Sequence, residues 1–239
     1  MGEKLSTSQI NKLGERLRKG QARDDDLRAL DTFRRSFTSA YDRVFHELSK
    51  SGLTPGGRPA KSTPSIIAKL NRERGRLSKM QDIAGCRIEV DNLVEQDRVV
   101  ADLVAKFSNA TVRDRRIKPS HGYRAVHLVV DSGGFLVEIQ VRTPLQHGWA
   151  SAVEKLADTI DPDIKYGGGP DEFRKIISLM SQTVGLIEAL EIALPRIRGS
   201  RRSSMPEDEV RESEQKMLEA RARLRELFES FTMIADKEV

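Results

Sequence analysis

Residues 123–143 read YRAVHLVVDSGGFLVEIQVRT, and the prediction of the fold starts from this stretch. Apolar, mostly β-branched residues alternate with polar ones on both sides of a Ser-Gly-Gly turn at 132–134. Such alternation is typical of half-buried strands, and a short glycine-containing connection between two of them is typical of a β-hairpin. The stretch therefore predicts two strands, over 123–131 and 135–143, joined as a hairpin.

The second of these strands places polar side chains on one face of the hairpin. Successive side chains of a strand point to opposite sides, so Glu138, Gln140 and Arg142 share a face. By the same alternation we expect Tyr123 and His127 to share a face of the first strand. A polar sheet face is either exposed to solvent or the floor of a ligand site, and the alternation by itself leaves both interpretations open.

Outward from the hairpin, the chain is mainly helical. Apolar residues recur every three or four positions in the first fifty residues and again over 173–195, which predicts helices. Pro195 is expected to end the second of these. The remaining periodic segments predict a strand over 83–90 and helices over 64–71 and 145–159.

A heptad pattern marks the C-terminal segment, after a basic linker at 196–204. Apolar residues repeat every seven positions at Val210, Met217, Leu224 and Phe231, with Ala220, Leu227 and Ile234 in the companion positions. The pattern predicts a helix that either docks on its own domain or forms a coiled coil with a partner.

This order of elements predicts an α+β fold. We expect a mixed sheet of about five strands with helices packed on it and helical extensions at both ends. The predicted division is an N-terminal helical extension over 1–50, a core over 51–170 and a C-terminal helical extension over 171–239, together forming one compact unit.

Composition excludes several classes of protein. A single cysteine, Cys86, rules out an internal disulfide, and no histidine or second cysteine lies at the spacing of zinc ligands. No apolar run is expected to reach the ~20 residues of a membrane helix, and the first eight residues lack a signal-peptide core, so we expect a cytoplasmic protein with no membrane partner. The net charge of +5 favours an anionic partner such as nucleotide phosphates or RNA.

Two further features suggest phosphate chemistry. The segment 113–119 reads RDRRIKP, and beside a polar sheet face this cationic run is better interpreted as a phosphate-binding edge than as a solvated surface. Asp82 directly precedes the strand at 83–90, where its carboxylate could hold Mg²⁺ together with Glu138.

Three short motifs resemble those of a known family. They read DIAGCR at 82–87, GYRAVH at 122–127 and EIQVRT at 138–143. In order and spacing they are similar to the synthetase domain of RelA/SpoT proteins, in particular to the small alarmone synthetases and their toxic members. The resemblance spans about residues 58–156 and implies a nucleotidyltransferase-like fold and a pyrophosphokinase that uses ATP and Mg²⁺.

The resemblance also implies a role for each matching residue. Glu138, Asp82 and His127 would be the catalytic set. Arg58 and Arg87 would stack on the adenine of ATP, while Lys61, Ser65, Lys69 and His127 would hold its phosphates. Asp82 and Glu138 would coordinate Mg²⁺, and Glu138 would help to deprotonate the attacking 3′-hydroxyl. The acceptor would be bound by Tyr123, stacked on its base, by Gln140 nearby, and by Arg115, Arg116 and Lys118 on its phosphates.

Two positions depart from the family pattern. Arg58 and Lys61 are separated by two residues where the family commonly has one. In the helix after the Glu138 strand, Glu154-Lys155 stands where the family usually has a Glu-His pair. The chain also has only four histidines and no His-Asp cluster upstream, so we do not expect it to degrade alarmones.

The leading hypothesis is an enzyme that transfers the β,γ-pyrophosphate of ATP to the 3′-hydroxyl of GDP or GTP, making (p)ppGpp. One alternative is a toxin, neutralised by an antitoxin protein, that pyrophosphorylates the 3′ end of tRNA or makes adenosine alarmones. Another is a non-catalytic RNA- or nucleotide-binding regulator. The sequence leaves open whether the protein forms a homo-oligomer.

Overall fold

The structure is a computed structural model that describes residues 5–199 and 205–237, without the side chains of residue 232 and of 234–237. Its helices are α1 Thr7–Arg18, α2 Asp24–Arg35, α3 Thr38–Lys50, α4 Thr63–Glu73, α5 Leu93–Lys106, α6 Pro144–Thr159, α7 Asp171–Arg198 and α8 Glu207–Lys237. Its strands are β1 Gly56–Arg58, β2 Ala84–Glu89, β3 Thr111–Asp114, β4 Val126–Asp131 and β5 Leu136–Arg142. Two short 3₁₀ turns lie at Leu77–Lys79 and Ile164–Tyr166.

The strands form one mixed sheet in the order β1-β2-β5-β4-β3. Strand β1 runs antiparallel to β2, with Gly56 opposite Arg87 and Arg58 opposite Gly85. The α+β fold with about five strands and helical extensions is therefore confirmed.

The hairpin predicted from residues 123–143 is present as β4 and β5. The amide of Ser132 donates to the carbonyl of Phe135 at 2.9 Å, which closes the turn. Gly133 and Gly134 have φ angles of 68° and 83°, in the left-handed region that glycine adopts without strain. Along β5, Val137, Ile139 and Val141 are fully buried, as the alternation predicts.

The first strand of the hairpin is shorter than predicted. Strand β4 begins at Val126, and Tyr123 lies outside it in a turn where Ser120 and Tyr123 exchange backbone hydrogen bonds of 3.3 and 3.0 Å. His121 and Gly122 have φ angles of 53° and 89°, so the chain turns directly before Tyr123, where the strand was predicted to begin. The expectation that Tyr123 and His127 share a strand face was therefore wrong.

The N-terminal region, predicted to be helical over the first fifty residues, consists of helices α1, α2 and α3. Helix α1 begins with a capping box in which Ser6 and Gln9 bond each other's backbone. Leu30 of α2 and Leu48 of α3 are fully buried, so the apolar stripe predicted in this region serves packing.

Helix α7 continues past Pro195 to Arg198, so the prediction that Pro195 ends it was wrong. A proline within the last turn removes only one hydrogen bond, and the amide of Gly199 still donates to the carbonyl of Pro195 at 3.0 Å. The predicted linker at 196–204 is thus helical at its start, and residues 200–204 lie outside the described ones. By length and composition alone α7 could also cross a membrane, contrary to expectation, although core helices pass the same test.

Two compact units make up the chain. The first comprises the residues up to Ile88, Lys106–Val112 and His127–Gln140, and its fully buried side chains include Leu30, Ile66 and Ile139. The second comprises Glu89–Ala105, Arg113–Val126 and the residues from Val141 onward. The division into 1–50, 51–170 and 171–239 stays a prediction.

Helix α8 docks on helices α6 and α7 of its own chain. Leu224 and Phe228 join Trp149, Val153 and Val184 in the apolar cluster of the second unit. Among the heptad positions Val210 is 1% exposed, whereas Leu227 is 42% exposed and Ala220 is exposed too. The side chain of Ile234 lies outside the described residues. The heptad residues therefore serve largely to pack α8 on its own domain.

The junction between β5 and α6 is a buried polar network within the second unit. Thr143 caps α6 and donates its hydroxyl to the carboxyl of Glu188, on α7, at 2.5 Å. Gln146 bonds the same carboxyl at 3.0 Å and links it to Gln96 on α5. Burial raises the pKa of Glu188, against the opposing effect of these hydrogen bonds. The network ties the end of β5 to two helices.

Candidate active site

In the first unit, the carboxylate of Asp82 forms ion pairs with two lysines. Its Oδ2 accepts from Lys61 Nζ and its Oδ1 from Lys69 Nζ, each at 2.8 Å. Lys69 is carried by α4, whose N-cap is Ser62, and the amide of Lys61 donates to the carbonyl of Ile83 at 2.6 Å. The backbone itself therefore brings the lysine segment beside Asp82.

The charge state of Asp82 follows from these contacts. Burial of the carboxyl opposes ionisation, but the positive charges and hydrogen bonds of Lys61 and Lys69 outweigh it and lower the pKa of Asp82 to about 2. Asp82 is thus an ionised carboxylate at neutral pH, held between two ammonium groups.

Glu138 lies on β5 with two neighbours of its own. Its Oε1 is 2.8 Å from Nδ1 of His127 on β4, and its Oε2 accepts from Gln140 Nε2 at 2.8 Å. Burial opposes ionisation of Glu138, but the hydrogen bond and charge of His127 outweigh it and lower the pKa of the carboxyl. The negative charge of Asp82 acts in the opposite direction and by itself raises the pKa of Glu138, so the two carboxylates interact electrostatically.

Asp82 and Glu138 fit a magnesium site completed by a nucleotide. Among residues 5–199 and 205–237, no group of three or more His, Cys, Asp or Glu side chains could hold a metal ion. Mg²⁺, however, is usually bound through one or two carboxylates and the phosphates of a substrate, not by an all-protein cage. Two ionised, electrostatically coupled carboxylates beside two lysines match that donor set.

The residues predicted to contact adenine lie on the paired strands β1 and β2. Arg58 pairs with Gly85, two positions from Arg87, so the side chains of Arg58 and Arg87 share a face of the sheet. Arg58 is exposed, whereas Arg87 is half-buried. Ser65 lies in the first turn of α4, with its hydroxyl 2.8 Å from that of Ser62. Their assigned roles remain predictions.

Four of the five residues predicted to bind the acceptor lie in the second unit, and the fifth, Gln140, lies in the first. The guanidinium of Arg142 lies 5.0 Å from the centre of the half-buried Tyr123 ring and donates to its hydroxyl at 2.8 Å. Trp149 is the next ring, with its centroid 6.4 Å from that of Tyr123. Arg142 was not assigned a role from the sequence, although its place on the polar face of β5 could have signalled one.

The cationic segment 113–119 is less free than its composition suggests. Burial disfavours the charged form of Arg116, but ion pairs with Asp114 and Asp97 outweigh this and raise its pKa. The shortest contacts to Asp114 and Asp97 are 2.6 and 2.7 Å. Arg115 is half-buried and Lys118 exposed. The assignment of Arg115, Arg116 and Lys118 to acceptor phosphates stays a prediction, and Arg116 would have to leave its carboxylates to fulfil it.

Cys86 lies on β2 and is buried. Burial raises the pKa of its thiol to about 12, so it carries no thiolate near neutral pH. Cys86 is therefore not a candidate nucleophile.

Known proteins are similar to part of this chain. Residues 57–157 match the family described as the region found in RelA / SpoT proteins. Uncharacterized proteins of Mycobacterium tuberculosis and Mycobacterium bovis are 36% identical over 135 residues, which is 54% of this chain and 50% of theirs. The chain thus spans about half the length of the curated relatives it matches.

Solved structures show the same relationship. Small alarmone synthetase 1 from Bacillus subtilis, bound to its product pppGpp, aligns with a TM-score of 0.58 at 25% identity, over 71% of this chain and 97% of that one. Small alarmone synthetase 2 from Bacillus subtilis has a TM-score of 0.56, covers 72% and 98% of the two chains, and at 21% identity shows the shared fold alone. Residues 57–157 of this chain therefore resemble the RelA/SpoT region, and the fold of the chain is that of the small alarmone synthetases.

Proposed function

We propose that the protein is an ATP-dependent pyrophosphokinase that transfers the β,γ-pyrophosphate of ATP to the 3′-hydroxyl of a nucleotide. The observation that carries the proposal is the pair of carboxylates in the first unit, Asp82 between Lys61 and Lys69, and Glu138 between His127 and Gln140. A module that only bound phosphates would gain nothing from two ionised carboxylates, because they repel phosphates unless a cation lies between them.

The lysines and the carboxylates have different proposed roles. Lys61 and Lys69 are the groups to hold the ATP phosphates. In the free protein their ammonium groups neutralise Asp82, and when ATP is bound they can bind its negatively charged phosphates instead. Asp82 and Glu138 are the groups to hold Mg²⁺, which when bound would neutralise the charge of the transferring phosphates. His127 and Gln140 fix the orientation of the Glu138 carboxylate.

The transfer itself is an in-line displacement at phosphorus. The acceptor 3′-oxygen forms a bond to the β-phosphorus of ATP, the bond to the α,β-bridging oxygen breaks, and AMP leaves with that electron pair. The proton of the hydroxyl passes to Glu138 or through it to water. Because the lowered pKa of Glu138 makes it a weak base, positioning and charge neutralisation supply most of the catalysis.

GDP or GTP is our choice of acceptor, with (p)ppGpp as product. The neighbour small alarmone synthetase 1 from Bacillus subtilis is bound to its product pppGpp, and this supports the choice. An ATP-consuming enzyme of this kind is expected to act in the cytoplasm.

A second candidate is a toxin acting on the 3′ end of tRNA or on adenosine nucleotides. It is favoured by the net charge of +5 and by Glu154-Lys155 on α6, where the family usually has a Glu-His pair. Under this alternative an antitoxin protein would bind the chain.

The test is incubation of the purified protein with Mg²⁺ and ATP labelled on the γ-phosphate, with GDP, GTP, AMP or bulk tRNA offered separately. Label in GDP or GTP products supports the first candidate, and label only in AMP products or tRNA supports the second. Glu138→Gln should lower the transfer rate at least about a hundredfold, since it removes a charged group that acts in the transition state. Glu226→Gln, an exposed site on α8, is the matched control and should leave the rate unchanged.

Two results would contradict the proposal. One is a Glu138→Gln enzyme as active as the wild type, which would remove the carboxylate from the mechanism. The other is nucleotide binding by the wild type with no transfer to any acceptor, which would favour a non-catalytic regulator.

A further inference from the structure

In the sequence, Arg124 lies between residues predicted to bind the acceptor, but its side chain contacts helix α7. Its Nη1 donates to the carbonyl of Arg116 at 2.7 Å. Its Nε donates to both the carbonyl and the hydroxyl of Ser181, each at 3.1 Å. One guanidinium therefore joins the beginning of the loop at 115–125 to α7.

Ser181 fastens the far end of the same loop. Its hydroxyl donates to the carbonyl of Gly122 at 2.6 Å, directly before Tyr123. Ser181 is 3% exposed, and its hydroxyl both accepts from Arg124 and donates to Gly122. At its base, the loop is closed by the amide of Arg115, which donates to the carbonyl of Ala125 at 2.9 Å. Both ends of the turn that carries Tyr123 are thus held through one serine and one arginine.

Helix α7 provides the space for this guanidinium at Gly185, one turn after Ser181. A Cβ at position 185 would lie 2.8 Å from Cζ of Arg124 and 2.9 Å from its Nη2. Real Cβ atoms essentially never approach other heavy atoms so closely, so any other residue at position 185 would displace the end of the Arg124 side chain from its observed place. Glycine inside a helix is destabilising relative to alanine, and the contact with Arg124 gives a physical reason for its presence here.

We propose that Arg124, held by Ser181 and by the space at Gly185, is a positioning residue that fixes Tyr123 and its turn for the acceptor nucleotide. Helix α7 lies beyond residues 57–157, which match the family, and so completes the acceptor site from outside that region. The inference rests on the proposed function for the identity of the acceptor. It concerns acceptor binding alone.

Acceptor binding can be followed without any turnover. Trp149 is the only tryptophan of the chain, and its ring lies beside that of Tyr123, so its fluorescence should report a nucleotide base stacked there. Titrations with GDP, GTP, AMP and tRNA are compared for the wild type, Arg124→Ala, Arg124→Lys, Gly185→Ala and Gly185→Leu. Ala189→Leu, exposed and one turn further along α7, is the matched control.

We expect Arg124→Ala and Gly185→Leu to weaken acceptor binding roughly tenfold, with the ATP KM and the kcat at saturating acceptor unchanged. Arg124→Lys should not rescue binding, because one ammonium cannot reach the Ser181 and Arg116 oxygens together. The double variant Arg124→Ala/Gly185→Leu should be no weaker than either single variant, since both remove the same contact. Amide hydrogen exchange at 116–123 should quicken in each variant and stay unchanged in Ala189→Leu.

Four outcomes overturn the inference. They are unchanged acceptor affinity in Arg124→Ala, full rescue by Arg124→Lys, unchanged exchange at 116–123, and a wild type that binds none of the acceptors. A wild type that binds an acceptor but transfers nothing overturns only the proposed catalysis, and the same loss of affinity in the variants then still supports the positioning role of Arg124. If Gly185→Leu fails to fold, the acceptor affinities of Gly185→Ala and of the Arg124 variants test the inference.

Discussion

Asp82 has a half-buried carboxylate whose ionised form is stabilised by two lysines. Its side chain is 18% exposed, and those of Lys61 and Lys69 are 15% and 20% exposed. A charge so placed is costly unless it is paired, and removal of one partner leaves the others uncompensated. The motif at 82–87 could be recognised from the sequence, but the two ion pairs could not, because Asp82 is 21 and 13 positions away from these lysines.

The low pKa of Asp82 predicts a specific pH dependence of stability. The folded pKa of about 2 lies below the ordinary 3.8, so the stabilisation is present above about pH 4 and is lost as the pH falls towards 2. At about 1.4 kcal/mol per pKa unit, the effect is roughly 2 kcal/mol in the free energy of unfolding. Urea unfolding at several pH values should therefore show a steeper loss between pH 4 and 2 for the wild type than for Asp82→Asn.

The exposed Asp208, on α8, provides the control for this measurement. Asp208→Asn should lose stability in parallel with the wild type over the same pH range. Parallel curves for the wild type and Asp82→Asn would mean that the two lysines do not stabilise the ionised carboxylate.

Tyr123 offers a test of stacking against hydrogen bonding. Tyr123→Phe keeps the ring and removes only the hydroxyl that accepts from Arg142, whereas Tyr123→Ala removes both. We expect Tyr123→Ala to raise the acceptor KM roughly tenfold or more and Tyr123→Phe to raise it about threefold or less, because a stacked base is worth about 1–3 kcal/mol. Steady-state kinetics with ATP held saturating measures this. Equal losses in the two variants would show that the hydroxyl, not the ring, binds the acceptor.

At the scale of elements, the contact between α6 and α8 depends on a small residue facing a large one. A Cβ on Gly148 of α6 would lie 2.7 Å from Cδ2 of Phe228 on α8, so the phenyl ring rests directly on the α6 backbone. The heptad pattern predicted helix α8 correctly. It could not show which of the apolar side chains are buried, because that depends on how the helix is rotated against α6 and α7.

Neighbouring positions on α8 should therefore differ sharply in their effect on stability. Phe228 is 2% exposed and Leu227 is 42% exposed. We expect Phe228→Ala to lower the free energy of unfolding by about 3–5 kcal/mol, since it removes a buried aromatic ring, and Leu227→Ala to lower it by less than about 1 kcal/mol. Denaturant unfolding of the full chain measures both. Similar losses would mean that α8 is rotated or undocked in solution.

Other elements show the limits of local pattern. The hairpin and helices α4 and α6 were predicted close to their observed bounds, since each has its own alternation, cap or period. Strand β1 is only three residues, two of them glycine, and it exists because it pairs with β2. Tyr123 lies outside strand β4 because the backbone turns at 120–123. The β-branched composition after this turn predicted a longer strand than the turn allows.

For the whole molecule, net charge bears on how substrates bind. The chain carries +5 at pH 7, and five cationic side chains are proposed to bind the phosphates of ATP and of the acceptor: Lys61, Lys69, Arg115, Arg116 and Lys118. Exposed charges are screened over about 10 Å at 0.1 M salt, so long-range attraction of nucleotides weakens as salt rises.

We therefore expect the KM values for ATP and acceptor to rise severalfold between roughly 0.05 and 0.3 M NaCl at fixed free Mg²⁺, as exposed charges are screened. The kcat at saturating substrates should change little, because the contacts of the half-buried Asp82 and Glu138 are screened less than exposed charges. Initial rates over a salt series measure both quantities. Constant KM values would show that substrate binding owes little to the charge of the protein.

The sequence by itself determined the class of fold and most of the chemical groups of the candidate site. Alternation, capping residues and short ordered motifs act over a few neighbouring positions, so they can be read in one dimension. Only the tertiary structure decided which groups meet: Asp82 with Lys61 and Lys69, Tyr123 with Arg142, and Arg124 with Ser181 and Gly185. These contacts join positions between 13 and 61 residues apart, and they arise from helix packing and strand pairing that no local pattern specifies.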